Sequence, residues 1–160
     1  MTNVWKLAPL LLAAAAIPSA SVAQVAMTPS KDWAGTWRLD LRESMFSGKA
    51  PKSESRTVEI RGRTMITRSS GETADGKPTQ FSYAVKLDGQ FHPLVGNPDG
   101  DTISVQLVSP RKIDIEVRRH GQRSATAISS VSPTQMTMER HRLPLSGSPS
   151  DDRLVYDRVR

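Results

Sequence analysis

The chain has 160 residues, no cysteine and a net charge of +6. Its length suits one domain with a single hydrophobic core. The lack of cysteine excludes disulfides, thiolate metal sites and a cysteine-linked lipid anchor, so the fold must depend on apolar burial and strand pairing.

The first 23 residues have the three parts of a signal peptide. Lys6 precedes an apolar run from Leu7 to Ile17, and small residues lead up to Ala23. A membrane anchor is the alternative, but the run is shorter than the roughly 20 residues that span a bilayer, and Pro18 ends it. We therefore expect cleavage near Ala23, a periplasmic or secreted protein, and a mature charge lowered by one, to +5, when Lys6 is removed.

The mature chain is predicted to be a flexible lead-in over residues 24–32 followed by one domain over residues 33–160. The first strand is expected at Gly35 to Leu41, where Trp37, Leu39 and Leu41 alternate with polar residues. An alternation of period two is typical of a half-buried strand. The polar stretch from Ser44 to Ser55 is predicted to be a loop.

Further alternating segments follow in chain order, separated by turn signals such as Asp-Gly and Ser-Pro. No segment after the leader has sustained helical periodicity or is apolar enough to cross a membrane as a helix. The residues predicted to face inward in these segments are Val58, Ile60, Phe81, Tyr83, Val85, Leu87, Ile103, Val105, Leu107, Ile113, Ile115, Val117, Met136, Met138, Leu154 and Tyr156.

The pattern predicts an all-β protein with about eight to ten short strands. Short connections without long crossovers favour antiparallel, up-and-down order. One face of each strand is apolar, and closing the sheet into a barrel buries that face and removes the open edges. A two-sheet β-sandwich is the alternative.

Several motifs are spread across most of the mature chain. They are the opening segment from Asp32 to Phe46, Asp75-Gly-Lys-Pro78, Tyr83, Asp88-Gly89, Gly96-Asn-Pro-Asp99, Asp101-Thr-Ile-Ser104 and the terminal Val155-Tyr-Asp157. Together they resemble a bacterial family of small secreted proteins of unassigned function with a lipocalin-like barrel. The resemblance implies a fold rather than an activity.

Gly35-Thr-Trp37 also resembles the Gly-x-Trp signature on the first strand of lipocalins. In that family the tryptophan closes one end of the barrel, and an arginine late in the chain packs over its ring. The resemblance implies that Trp37 is structural here and that Arg153 or Arg158 is its cationic partner.

The barrel interior is the candidate binding site. A barrel of this size either fills itself with side chains or holds one small ligand, and the sequence leaves both open. Small residues on one predicted strand, including Ala125 and Ala127, leave some room in the middle. The candidate ligand-binding residues are Phe81, Tyr83, Val105, Ile115, Met136, Met138 and Tyr156.

No metal site, cofactor or catalytic motif is predicted. His92, His120 and His141 have no close metal-ligand spacing, and two of them stand beside arginines. Asn97, Asp99 and Asp101 alternate as calcium ligands do, but the EF-hand pattern is incomplete, so a turn is predicted. No serine lies in a Gly-x-Ser-x-Gly elbow.

We therefore expect an exported, non-enzymatic barrel that binds a small apolar or amphipathic molecule. One alternative is an interaction module that binds an anionic surface through short arginine groups such as Arg118-Arg119 and Arg140 to Arg142. Another is a hydrolase with a histidine, an acid and a hydroxyl in contact. No nucleic-acid partner is expected, because the basic residues are scattered.

Overall fold

The computed structural model describes residues 27–143 and 147–159, and these form a closed ten-stranded antiparallel β-barrel. Each strand pairs with its sequence neighbours, and the first strand pairs with the last. The predicted barrel is therefore confirmed, and the sandwich alternative is wrong. The strands are β1 (Gly35–Leu39), β2 (Ser53–Arg61), β3 (Thr64–Glu72), β4 (Pro78–Lys86), β5 (Asp88–Val95), β6 (Thr102–Ser109), β7 (Lys112–Arg119), β8 (Gln122–Val131), β9 (Gln135–Arg142) and β10 (Ser150–Arg158).

One short helix precedes the barrel in the described part of the chain. It is a single 3-10 turn, η1 (Lys31–Trp33), capped by the Ser30 side chain, which accepts from the Asp32 N–H. Lys31 and Asp32, assigned to the lead-in from the sequence, thus lie in regular structure. No helix among the described residues has the length and apolar character needed to cross a membrane. The predicted leader, residues 1–23, lies outside the described residues.

The alternating pattern produces one continuous apolar interior. Val85 and Leu87, on and just after β4, are fully buried, whereas Lys86 between them is exposed. On the facing strands, Val105 of β6 pairs in register with Ile115 of β7. A register slip by one residue would turn these side chains to solvent, so burial of this face fixes the strand pairing.

The first connection departs from its prediction at both ends. β1 stops at Leu39 because the Asp40 carboxylate accepts hydrogen bonds from the Arg42 and Glu43 N–H groups, at 2.7 and 3.1 Å, and turns the chain. Leu41, which the alternation places on the apolar face of this strand, is instead exposed. The loop predicted to end at Ser55 in fact ends earlier, because β2 begins at Ser53. Some inward-facing positions of β2 are polar, so the strand does not show an apolar alternation at its start.

One end of the barrel is closed by two tryptophans, and we call it the plugged end. Trp33 and Trp37 are both fully buried there. The Trp37 indole donates to the Trp33 carbonyl at 3.1 Å, and the Trp33 indole donates to the Pro110 carbonyl at 3.0 Å. These bonds tie η1 across the barrel to the β6–β7 turn.

Arg158 of β10 holds the plug in place. Its guanidinium lies 4.1 Å from the centroid of the Trp37 ring and donates to the carbonyls of Ala34 (2.7 Å) and Pro133 (2.6 Å). Gly35 makes room for it, because a Cβ there would overlap the guanidinium. Cation–π contact and hydrogen bonding together join the first and last strands.

The opposite end, which we call the mouth, carries the longer connections. Among them is the loop 96–101 between β5 and β6. The Asp101 N–H donates to the Arg118 carbonyl at 2.9 Å, and Gly100 packs so tightly on β7 that a Cβ would overlap the backbone. This loop is therefore pressed against the barrel rather than projecting from it.

Candidate functional site

Polar side chains form a network inside the barrel, centred on Glu54. Its Oε1 accepts from Arg56 Nε at 2.6 Å, from the Ser69 hydroxyl at 3.1 Å and from the Tyr156 hydroxyl at 3.1 Å. The Arg56 guanidinium also lies 4.7 Å from the Tyr156 ring centroid and 5.4 Å from that of Phe81. A buried ion pair thus stands among aromatic rings, where an uncompensated charge would be costly.

The two charges of this network stabilise each other. Burial opposes the ionisation of Glu54, but the Arg56 guanidinium and the hydrogen bonds outweigh it, so the pKa of Glu54 lies below its ordinary value. Burial likewise opposes the charge of Arg56, yet the Glu54 carboxylate raises the pKa of Arg56 above normal. Burial raises the pKa of Tyr156, so its hydroxyl stays a neutral donor.

A cavity of about 60 Å³ lies between this network and the strands β6–β9. Its walls are mainly apolar, and its polar lining comes from Arg56 of the network, from the loop 96–101, from β8 and from β9. The lining residues are Arg56, Phe81, Tyr83, Asn97, Asp99, Ile103, Ile115, Val117, Ala125, Thr126, Ala127, Met138 and Arg140. The barrel is therefore neither completely filled nor widely hollow.

Four charged side chains gather at the mouth, next to this cavity. Asp152 of β10 accepts from Arg140 at 2.9 Å and lies 3.2 Å from Arg142, both on β9. Ser47, from the connection between β1 and β2, caps the same carboxylate with its N–H and hydroxyl, each at 3.0 Å. The fourth side chain is Asp99. Burial disfavours the ionised Asp152, but the Ser47 N–H and Arg140 hold its pKa below normal.

The predicted ligand-binding residues separate into three groups. Phe81, Tyr83, Ile115 and Met138 line the cavity. Val105 and Met136 are buried in the core but do not line the cavity. Tyr156 is fully buried and belongs to the Glu54 network.

The residues predicted to be structural lie partly inside the barrel and partly on its outer face. Trp37 and Arg158 form the plug. Arg153, the other candidate partner for Trp37, is exposed on the outer face, where it reaches the Glu43 carbonyl at 3.4 Å. Strand alternation separates Arg153 from Arg158, because positions five apart on a strand point to opposite faces.

Sequence reasoning missed the polar residues of the interior. Glu54 and Arg56 share the face of Val58 and Ile60, so extending the alternation of β2 back by two steps would have found them. Arg140 continues the face of Met136 and Met138 in the same way. In the sequence, a charged residue at an inward position looks like the end of a strand.

A groove of about 900 Å³ lies on the outer wall across β6–β10. There His141 Nδ1 lies 2.5 Å from Asp151 Oδ1, and Thr126 stands opposite His141 in strand register. In the described part of the chain no hydroxyl hydrogen-bonds to this ring, which is the contact that the hydrolase hypothesis requires. The groove is an open, carboxylate-rich surface rather than an enclosed site.

The other two histidines lie apart from this pair. His120 Nδ1 is 3.4 Å from the Asp101 carboxylate on an exposed turn, and His92 Nε2 is buried without a partner among the described residues. Within the described ranges no three His, Asp or Glu side chains are arranged to hold a metal ion.

The arginine groups noted in the sequence have contacts within the protein. Arg118 pairs with Glu116 at 2.7 Å and stacks 4.0 Å above the Phe91 ring. Arg140 and Arg142 pair with Asp152 at the mouth. Much of the positive charge expected to face an anionic surface is therefore neutralised locally.

The fold is similar to that of a solved structure, a point mutant of a protein titled "REP1-NXSQ fatty acid transporter". The match has a TM-score of 0.55 at 16% sequence identity and covers 81% of this chain and 100% of the other. At this identity the likeness concerns the barrel fold. No family model and no curated protein matches the sequence.

Proposed function

We propose that this protein binds a small amphipathic molecule, with the apolar part in the barrel cavity and the polar head at the mouth. The observation that carries the proposal is the polarity of the cavity. Ile115, Val117 and Met138 line its apolar part, and Asn97 and Arg140 supply hydrogen-bonding groups on the mouth side. A concave apolar site with a few convergent polar groups is typical of small-molecule binding.

The similar barrel fold supports the same proposal, since that solved protein is titled a fatty acid transporter. The cavity of about 60 Å³ sets a limit on the ligand, because it holds only a few water-sized groups. Ligand sites of roughly 300–1,000 Å³ are common for larger molecules. A longer chain therefore requires movement at the mouth or of flexible linings such as Met138.

Isothermal titration calorimetry with decanol tests this proposal through Ala125→Val. Ala125 lines the cavity but not the outer groove, and the two added methyl groups should occupy space that the ligand needs. Excluding about two methylene groups, at about 0.8 kcal/mol each, should weaken decanol binding roughly tenfold. Ser130→Val, at an exposed position of the same strand, is the matched control and should bind like the wild type. Equal binding by both variants would place the decanol elsewhere.

We also propose that the protein is exported and cleaved near Ala23. The support is the lysine, apolar run and small residues at the start of the sequence. Intact mass of the protein purified from its own host should correspond to a chain that begins at Gln24. A mass that retains the first 23 residues would contradict this proposal.

A further inference from the structure

The charged cluster at the mouth contains two carboxylates that are held very differently. Asp152 lies within hydrogen-bond distance of both arginines and is capped twice by Ser47. Asp99 Oδ2 lies 4.0 Å from Arg140 Nη1 and 3.7 Å from Arg142 Nε. Hydrogen bonds from N–H to oxygen span about 2.7–3.2 Å, so Asp99 contributes charge without a hydrogen bond to either arginine.

Each arginine also has one N–H group without a hydrogen-bond partner among the described residues. Arg140 Nε and Arg142 Nε are both shielded from solvent and have no hydrogen-bond acceptor among the described residues. Unpaired buried donors of charged groups are costly and rare in folded proteins. The two Nε–H groups can therefore donate to an anionic oxygen of a ligand.

The same residues connect the cluster to the cavity. Arg140 and Asp99 line both, so a molecule whose tail occupies the cavity would have its head beside these guanidinium groups. Arginine presents its N–H donors in a planar fork that suits carboxylates. With both aspartates in place the cluster is neutral, so an added anion would be disfavoured unless one of them left.

We propose that Arg140 and Arg142 bind the carboxylate head of the ligand and that Asp99 is a resident substitute which the ligand displaces. This inference rests on the proposed function and names its ligand class, a carboxylate-bearing amphiphile. Exchange of one carboxylate for another keeps the cluster neutral.

The test follows the arginine Nε–H signals by two-dimensional NMR while acetate, decanoate or decanol is added. Acetate reports the head site without needing the cavity, and decanol reports the cavity without a charged head. The variant is Asp99→Asn, which removes the competing charge. Asp101→Asn is the matched control, because it makes the same charge change in the same loop and can still accept from the His120 N–H.

We expect acetate and decanoate to shift the Nε–H signals of Arg140 and Arg142. Asp99→Asn should bind both anions about five- to tenfold more tightly than the wild type, the effect of removing one partly screened charge at about 4 Å. Asp101→Asn should change their affinity less than about twofold on the same scale. Decanol should bind all three proteins alike.

Two results would overturn the inference. One is arginine Nε–H signals that do not shift with either anion. The other is an equal gain in anion affinity for the two variants, which would indicate a general charge effect. If the arginine signals do not shift but decanol binds, the head site would be wrong and the proposed function would stand. If acetate shifts the arginine signals but neither decanol nor decanoate binds, the head site would stand and the proposed function would fail. Backbone spectra that match the wild type would show that the variants remain folded.

Discussion

Replacing Glu54 by glutamine should destabilise the protein more than any exposed substitution. The change keeps the size of the side chain but removes the charge that faces Arg56 at 2.6 Å. Arg56 is 5% exposed, and its other contacts include the Tyr156 and Phe81 rings and the Met138 sulfur at 3.9 Å. Breaking a buried pair by removing one partner costs about 3–5 kcal/mol, a large part of the roughly 5–15 kcal/mol that holds a domain together.

Urea denaturation at pH 7, followed by circular dichroism, measures this loss. With a slope of about 2 kcal/mol per molar, the unfolding midpoint should fall by about 1.5–2.5 M. The double variant Glu54→Gln/Arg56→Met removes both charges and should recover most of the stability, because an apolar replacement of a buried pair is often neutral. A Glu54→Gln midpoint close to that of the wild type would contradict a stabilising role of the ion pair, as would a double variant with a lower midpoint than the single one.

Three further outcomes test other parts of the structure. Trp37→Ala should lower the free energy of unfolding by about 3–5 kcal/mol, and an unchanged melting temperature would contradict its role in the plug. Glu54 and Asp152 have lowered pKa values in the folded state, so their stabilisation is complete above the ordinary carboxyl pKa and is lost as the pH falls through the lowered values. The urea midpoint should therefore drop below about pH 4, and a rise on acidification would count against these ion pairs. Gly100→Ala should cost about 1–3 kcal/mol because its Cβ meets a β7 carbonyl, whereas Gly48→Ala, in open space, should melt like the wild type.

The barrel could be predicted because its strands carry the pattern that burial requires. Val85 and Leu87, or Ile113 and Ile115, leave one face dry on each strand. Short turns then force neighbouring strands to pair. Closure between β1 and β10 follows because an open sheet of this kind would expose two edges.

The polar interior could not be predicted from the same pattern. Glu54 and Arg56 lie inside only because they satisfy each other, and that pairing depends on Tyr156 and Ser69 from distant strands. Alternation identifies a face of a strand but does not reveal which charged residues have partners across the barrel. The cluster around Asp152 could not be predicted for the same reason, because Ser47 meets β10 only in the folded barrel.

We propose that an amphipathic molecule occupies the interior rather than the outer groove. Isotope-filtered NOE spectroscopy of the protein with decanoate tests it directly. We predict contacts from the decanoate chain to the methyl groups of Val117 and Met138, which line the cavity and not the outer groove. Contacts confined to Met45 and Ile128, which line the outer groove, would contradict the account.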